Sequence, residues 1–86
     1  MIAGYDNAFR LDPLEAIRMV ESLTPRDRQV AERIAMGMMI EGIAADIGIS
    51  RKTVDIFLGK VKKKFRTNTC GIARVWFCAK LEQPDV

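Results

Sequence analysis

The side chains in this chain with the clearest chemical capacity are cations. Arg51, Lys52, Lys60, Lys63 and Lys64 lie within one short stretch, together with the hydroxyls of Ser50 and Thr53. Ammonium and guanidinium groups neutralise phosphate oxygens, and hydroxyls near a helix start add donors where the helix dipole favours an anion. The chemistry this points to is polyanion binding. Other chemistries have little to draw on. The chain has no histidine, so the commonest general base is missing. No Gly-rich phosphate loop or nucleophile motif appears. Of the two cysteines, Cys70 stands near a helix start and not far from Arg66, which makes it the more reactive candidate. Both are nevertheless expected to be small buried apolar residues. A structural zinc would need carboxylate ligands beside them, so no metal, no cofactor and no enzymatic activity are expected.

Net charge is +3, but the charge is divided along the chain. Residues 1–49 carry a net −3, residues 50–80 a net +8 and residues 81–86 a net −2. A basic segment beside an acidic one fits a polyanionic partner for the basic segment. The alternative is a solvated Lys-rich helix face.

The elements that must hold these cations can be read from caps and periodicity. With 86 residues, the chain has room for one domain with a thin core. Apolar residues make up 49%, enough for packing, and no run approaches the ~18 residues of a membrane span. Nothing at the start resembles an export signal, so a cytoplasmic place with reduced thiols is expected. Residues 1–11 read as an arm, 12–81 as a single domain and 82–86 as a tail. Asp12 caps a first helix that Pro13 opens, with Leu14, Ile17 and Val20 as its stripe. Thr24 and Pro25 start a second helix that runs to Gly37. Ile43 and Ile47, spaced i, i+4, mark a short third helix ending at Gly48.

Ser50 then caps the informative helix, from Arg51 to about Arg66. Val54, Leu58, Val61 and Phe65 fall within about 60° of one another on it, and so form its buried stripe. Lys52, Ile56, Gly59 and Lys63 lie opposite, flanked by Lys60 and Arg66. A short helix, a Gly turn and a capped basic helix make a helix-turn-helix whose second helix enters a major groove. The last helix, about Cys70 to Leu81, is apolar on two sides. Ile72, Val75, Trp76 and Ala79 form one stripe; Ala73, Phe77 and Leu81 form another. The second stripe is assigned to a homodimer contact, with cover by the N-terminal helix as the alternative.

From Leu23 to about Val75 the chain resembles the LuxR-type (GerE-like) helix-turn-helix domain. The resemblance rests on Leu23-Thr24-Pro25-Arg26-Asp27-Arg28-Gln29-Val30, then Gly37, Ile43-Ala44, Ile47-Gly48-Ile49-Ser50, Lys52-Thr53-Val54 and Lys64-Phe65. It covers about 50 of 86 residues, and the opening and turn motifs stand at the right separation. It implies an all-α, four-helix DNA-binding domain, here with an extra N-terminal helix. The third family helix reads the major groove, and the fourth commonly dimerises. Family members usually carry a receiver or ligand-binding domain upstream. Only about 22 residues precede the motif here, so regulation by a fused sensor is not expected.

Two departures qualify that implication. The polar linker of the family becomes Gly37-Met38-Met39-Ile40-Glu41-Gly42, and the usual Ser or Asn cap is lost, at ~1 kcal/mol. Met38, Met39 and Ile40 then form a possible partner surface, or fill gaps in the core. Asp55 and Ile56 on the reading helix could touch a cytosine amino group and a thymine methyl, or weaken binding. The expected function is a dimeric transcriptional regulator that contacts double-stranded DNA through Ser50, Arg51, Lys52, Thr53, Ile56, Lys60, Lys63 and Lys64. The competing reading is a protein-binding module on the same scaffold, either an anti-activator or an RNA-polymerase-associated factor.

Overall fold

Four of the five helices in the described residues begin at a side-chain cap. The computed structural model describes residues 12–82, so the arm read at 1–11 lies outside it, as does the tail read over 82–86 apart from Glu82, which is the last residue of a helix. The Asp12 carboxylate accepts from the Leu14 N–H at 3.1 Å and opens α1, Pro13–Glu21. Thr24 Oγ1 accepts from the Asp27 N–H at 3.2 Å and opens α2, Pro25–Ala35. Ser50 Oγ accepts from the Thr53 N–H at 3.1 Å and opens α4, Arg51–Phe65. Asn68 Oδ1 accepts from the Gly71 N–H at 3.0 Å beside the start of α5, Thr69–Glu82. The exception is α3, Ile40–Ile47, where Met39 occupies the cap position and offers no hydrogen bond. No strand occurs among the described residues.

The helix ends are equally local in origin. Gly37 and Gly48 adopt φ of 88° and 71°, the left-handed conformation that glycine takes without a Cβ clash. Arg66 makes the same turn at φ 55°, and the Arg66 and Thr67 N–H groups donate back to the carbonyls of Lys63 and Lys62. A side chain in that conformation costs roughly 1–2 kcal/mol, which the closed hydrogen bonds offset.

The core is one cluster to which every helix contributes. Val54, Leu58, Val61 and Phe65 are all buried on α4, and Ile72, Val75, Trp76 and Ala79 on α5. α5 packs against both α1 and α2, while α4 packs against α2 and α3. The first helix departs from its expected stripe. Leu14 is exposed, Ile17 is half-buried, and Ala16 and Val20 are the buried pair. An i, i+4 pair with one small member lets α1 lie close against α5, and Leu14 in the first turn overhangs that contact.

Two further differences concern α5. Cys70 is exposed and Cys78 half-buried, in place of the burial expected of both. Cys70 falls on the side of α5 away from the Ile72–Val75–Trp76–Ala79 stripe, so it faces solvent. The second apolar stripe is not covered by α1. Phe77 and Leu81 are 41% and 84% exposed, and Ala73 is half-buried.

The missing cap on α3 gives a direct test. Met39→Ser supplies the absent acceptor to an orphan N–H at the start of the helix. It is expected to raise unfolding free energy by about 1 kcal/mol, read as an increase in melting temperature.

Candidate nucleic-acid interface

The four buried side chains of α4 fix its rotation, and so determine which residues it presents outward. Lys52, Ile56, Gly59, Lys60 and Lys63 are all exposed, with Ile56 at 55%. From Lys52 to Lys63 the face runs roughly 16 Å at 1.5 Å per residue, a length suited to a groove. Nothing lies within 4 Å of where a Cβ on Gly59 would stand, so the middle of this face is open. Lys60 lies over the Phe57 ring, with Nζ 5.2 Å from the centroid. That contact steadies its stem while leaving the ammonium at the surface.

At the N-terminus of α4, Ser50 and Thr53 do two tasks at once. The two hydroxyl oxygens are 2.8 Å apart and share one hydrogen bond. One hydroxyl donates to the other, so one of the two hydrogens is left for an outside acceptor. An anion placed there also meets the positive end of the helix dipole.

Two of the expected contact residues are engaged elsewhere in the fold. Arg51 Nη1 stands 3.3 Å from Glu41 Oε2 on α3, an ion pair across the turn. Lys64 is engaged by two oxygens from the first half of the chain. Its Nζ donates to the Ser22 carbonyl at 2.9 Å and lies 3.6 Å from Asp27 Oδ2. One residue step on a helix is a 100° rotation, so Lys63 and Lys64 cannot share a face. Lys64 faces the α1–α2 junction and ties α4 to it.

Its partner Asp27 is a residue that sequence reasoning missed. It is 1% exposed, the one buried charged residue among those described. The signal was available, because Asp27, Val30 and Ala31 share an i, i+3, i+4 stripe and the latter two are fully buried. Glu41 was missed as well, and no local pattern pairs it with a residue ten positions on. A third ion pair, Arg33 to Asp46 at 2.6 Å, joins α2 to α3.

The expected partner surface is divided by the fold. Met38 and Ile40 pack partly against the core, while Met39 and Met36 are 75% and 62% exposed. The corner between α2 and α3 is therefore apolar at its tip and filled in behind. No helix of the described residues is long and apolar enough to cross a membrane.

Residues 21–75 match the family model of bacterial regulatory proteins of the luxR family. The chain is 41% identical over 58 residues to the transcriptional regulatory protein UhpA of Escherichia coli K12, which is 66% of this chain and 30% of that protein. It is 46% identical over 44 residues to UhpA of Salmonella typhimurium, covering 51% of this chain and 22% of that protein. Nodulation protein W of Bradyrhizobium diazoefficiens is 37% identical over 51 residues, covering 59% of this chain and 22% of its own length. The chain thus spans less than a third of the length of these relatives. No solved structure matches it. A capped, basic fourth helix behind a Gly turn, inside a family match across most of the described residues, has one reading: the chain belongs to the luxR family of bacterial regulatory proteins, with the helix-turn-helix of a DNA-binding transcription regulator.

Proposed function

We propose that this chain binds duplex DNA as a dimer in the cytoplasm and reads the major groove with the outer face of α4. The observation that carries the reading is the unbroken exposed row of Lys52, Ile56, Gly59, Lys60 and Lys63, set opposite four buried side chains. Lys52, Lys60 and Lys63 neutralise phosphates or reach base edges, and the Ser50–Thr53 pair receives a phosphate at the helix start. Ile56 offers an apolar surface of the kind that packs on a thymine methyl. Lys64, held against Asp27, supports the position of α4 and is left out of the contact set. The test is selection of bound duplexes from a random pool by the purified protein at physiological salt. Enrichment of an inverted repeat supports a dimeric, sequence-reading regulator. A folded sample that enriches nothing rules it out.

The dimer contact is assigned to Phe77 and Leu81 on α5, with Ala73 beside them. Phe77→Glu/Leu81→Glu is expected to give a monomer by sedimentation. It is also expected to lower affinity for the selected repeat at least tenfold while a half-site is still bound, because the two half-sites then no longer share one binding event.

A second reading is a protein-binding module on this scaffold. It is favoured by the exposed Met36 and Met39 and by the uncapped start of α3 behind them. Flexible thioethers suit an adaptable protein surface. The two readings separate on salt. Phosphate binding weakens steeply as salt rises, whereas apolar docking at the methionines barely responds.

A further inference from the structure

We infer that Glu41 acts as an internal counter-charge that withholds Arg51 from nucleic acid and thereby sets the affinity of the domain. The inference rests on the DNA-binding reading and deepens it. Arg51 is the first residue of α4, between the capping Ser50 and Lys52 of the outer face. A cation at that place stands beside any phosphate received by the Ser50–Thr53 hydroxyls. In this fold its guanidinium instead meets the Glu41 carboxylate of α3 at 3.3 Å.

The pair is poorly suited to a purely structural role. Both side chains are largely in solvent, 64% and 62% exposed. Exposed pairs of this kind contribute ~0–1 kcal/mol to stability. The α3–α4 arrangement has other support, since the two helices pack directly on one another and Ile43 of α3 and Val54 of α4 are both fully buried. In binding the same pair has a full effect. Glu41 cancels one unit of positive charge at the phosphate-facing end of α4, and it takes up a fork of donors that matches phosphate geometry. To contact DNA, Arg51 has to leave Glu41, and Glu41 then stands unpaired beside the polyanion.

The test is fluorescence anisotropy of duplex DNA against salt, on the full chain and three variants: Glu41→Gln, Arg51→Gln and the double substitution. Releasing Arg51 adds one phosphate contact. The slope of log K against log salt should therefore steepen by about 0.9 in Glu41→Gln, and affinity near 0.15 M salt should rise by about fivefold. In the Arg51→Gln background the same change at Glu41 should alter affinity by less than twofold, because there is no cation to release. Melting temperatures of all four proteins should agree within a few degrees, which separates a charge effect from a folding effect.

Equal gains from Glu41→Gln with and without Arg51 would overturn the proposal, since Glu41 would then act only by general repulsion. An unchanged slope in Glu41→Gln, with the parent chain binding, would overturn it too. If neither the parent nor Glu41→Gln binds duplex at any salt, the DNA-binding reading itself fails and the proposal falls with it. Binding by Glu41→Gln alone supports both.

Discussion

Lys63→Glu is expected to lower duplex affinity by about 100-fold while leaving the melting temperature within a few degrees of the parent. Lys63 is exposed on the outer face of α4, a full helix width from the buried Val61 and Phe65 stripe. The reversal removes one charge-assisted phosphate contact, of about 1.5–3 kcal/mol, and puts a carboxylate against the DNA. Surface substitutions away from special features change stability by about 0.5 kcal/mol or less, so far-UV circular dichroism should be unaltered. Anisotropy titration measures the loss, and a Lys52→Glu/Lys63→Glu protein should not bind at physiological salt. Full binding by that double variant would remove α4 as the reading helix.

Its neighbour should behave in the opposite way. Lys64→Met is expected to destabilise the fold by about 3 kcal/mol, and to leave the salt slope of DNA binding unchanged in the fraction that remains folded. Lys64 Nζ is the partner of the buried Asp27 carboxylate, whose other oxygen, Oδ1, has no partner among the described residues. Removing that cation leaves a buried charge with no ion-pair partner among the described residues. Breaking such a pair costs about 3–5 kcal/mol, and the lower end applies because Lys64 keeps 36% of its side chain in solvent. For a domain of this size 3 kcal/mol corresponds to a fall of about 12–24 °C in melting temperature. A chemical denaturation series gives the free energy directly. Adding Asp27→Asn should restore most of the loss, because a neutral amide needs no counter-ion there. A Lys64→Met protein that melts with the parent but binds DNA with a shallower slope would return Lys64 to the interface.

These adjacent lysines mark the boundary of what local sequence carries. The positions of the helices followed from single residues. Asp12, Thr24 and Ser50 each supply a side-chain acceptor within three residues of the N–H it satisfies, and Gly37 and Gly48 take a backbone conformation open to few other residues. The rotation of α4 followed from Val54, Leu58, Val61 and Phe65, because a 3.6-residue period places all four on one side whatever they pack against. The outer row of Lys52, Ile56, Gly59 and Lys63 was therefore visible before any fold was known.

Other features depended on distances along the chain that no periodicity spans. Lys64 and Ser22 are joined across 42 residues, and only the packing of α4 against the α1–α2 junction decides that Lys64 reaches Ser22 and Asp27. The exposure of Leu14 and burial of Ala16 depend on how closely α1 can approach α5. The Glu41–Arg51 pair depends on the angle between α3 and α4. The residues of this chain thus determine its helices, their faces and the sign of their charge, because caps and periods act within one or two turns. Which cations are left free to meet a partner is decided by the tertiary structure, because an ion pair forms only where packing has already brought two distant side chains together.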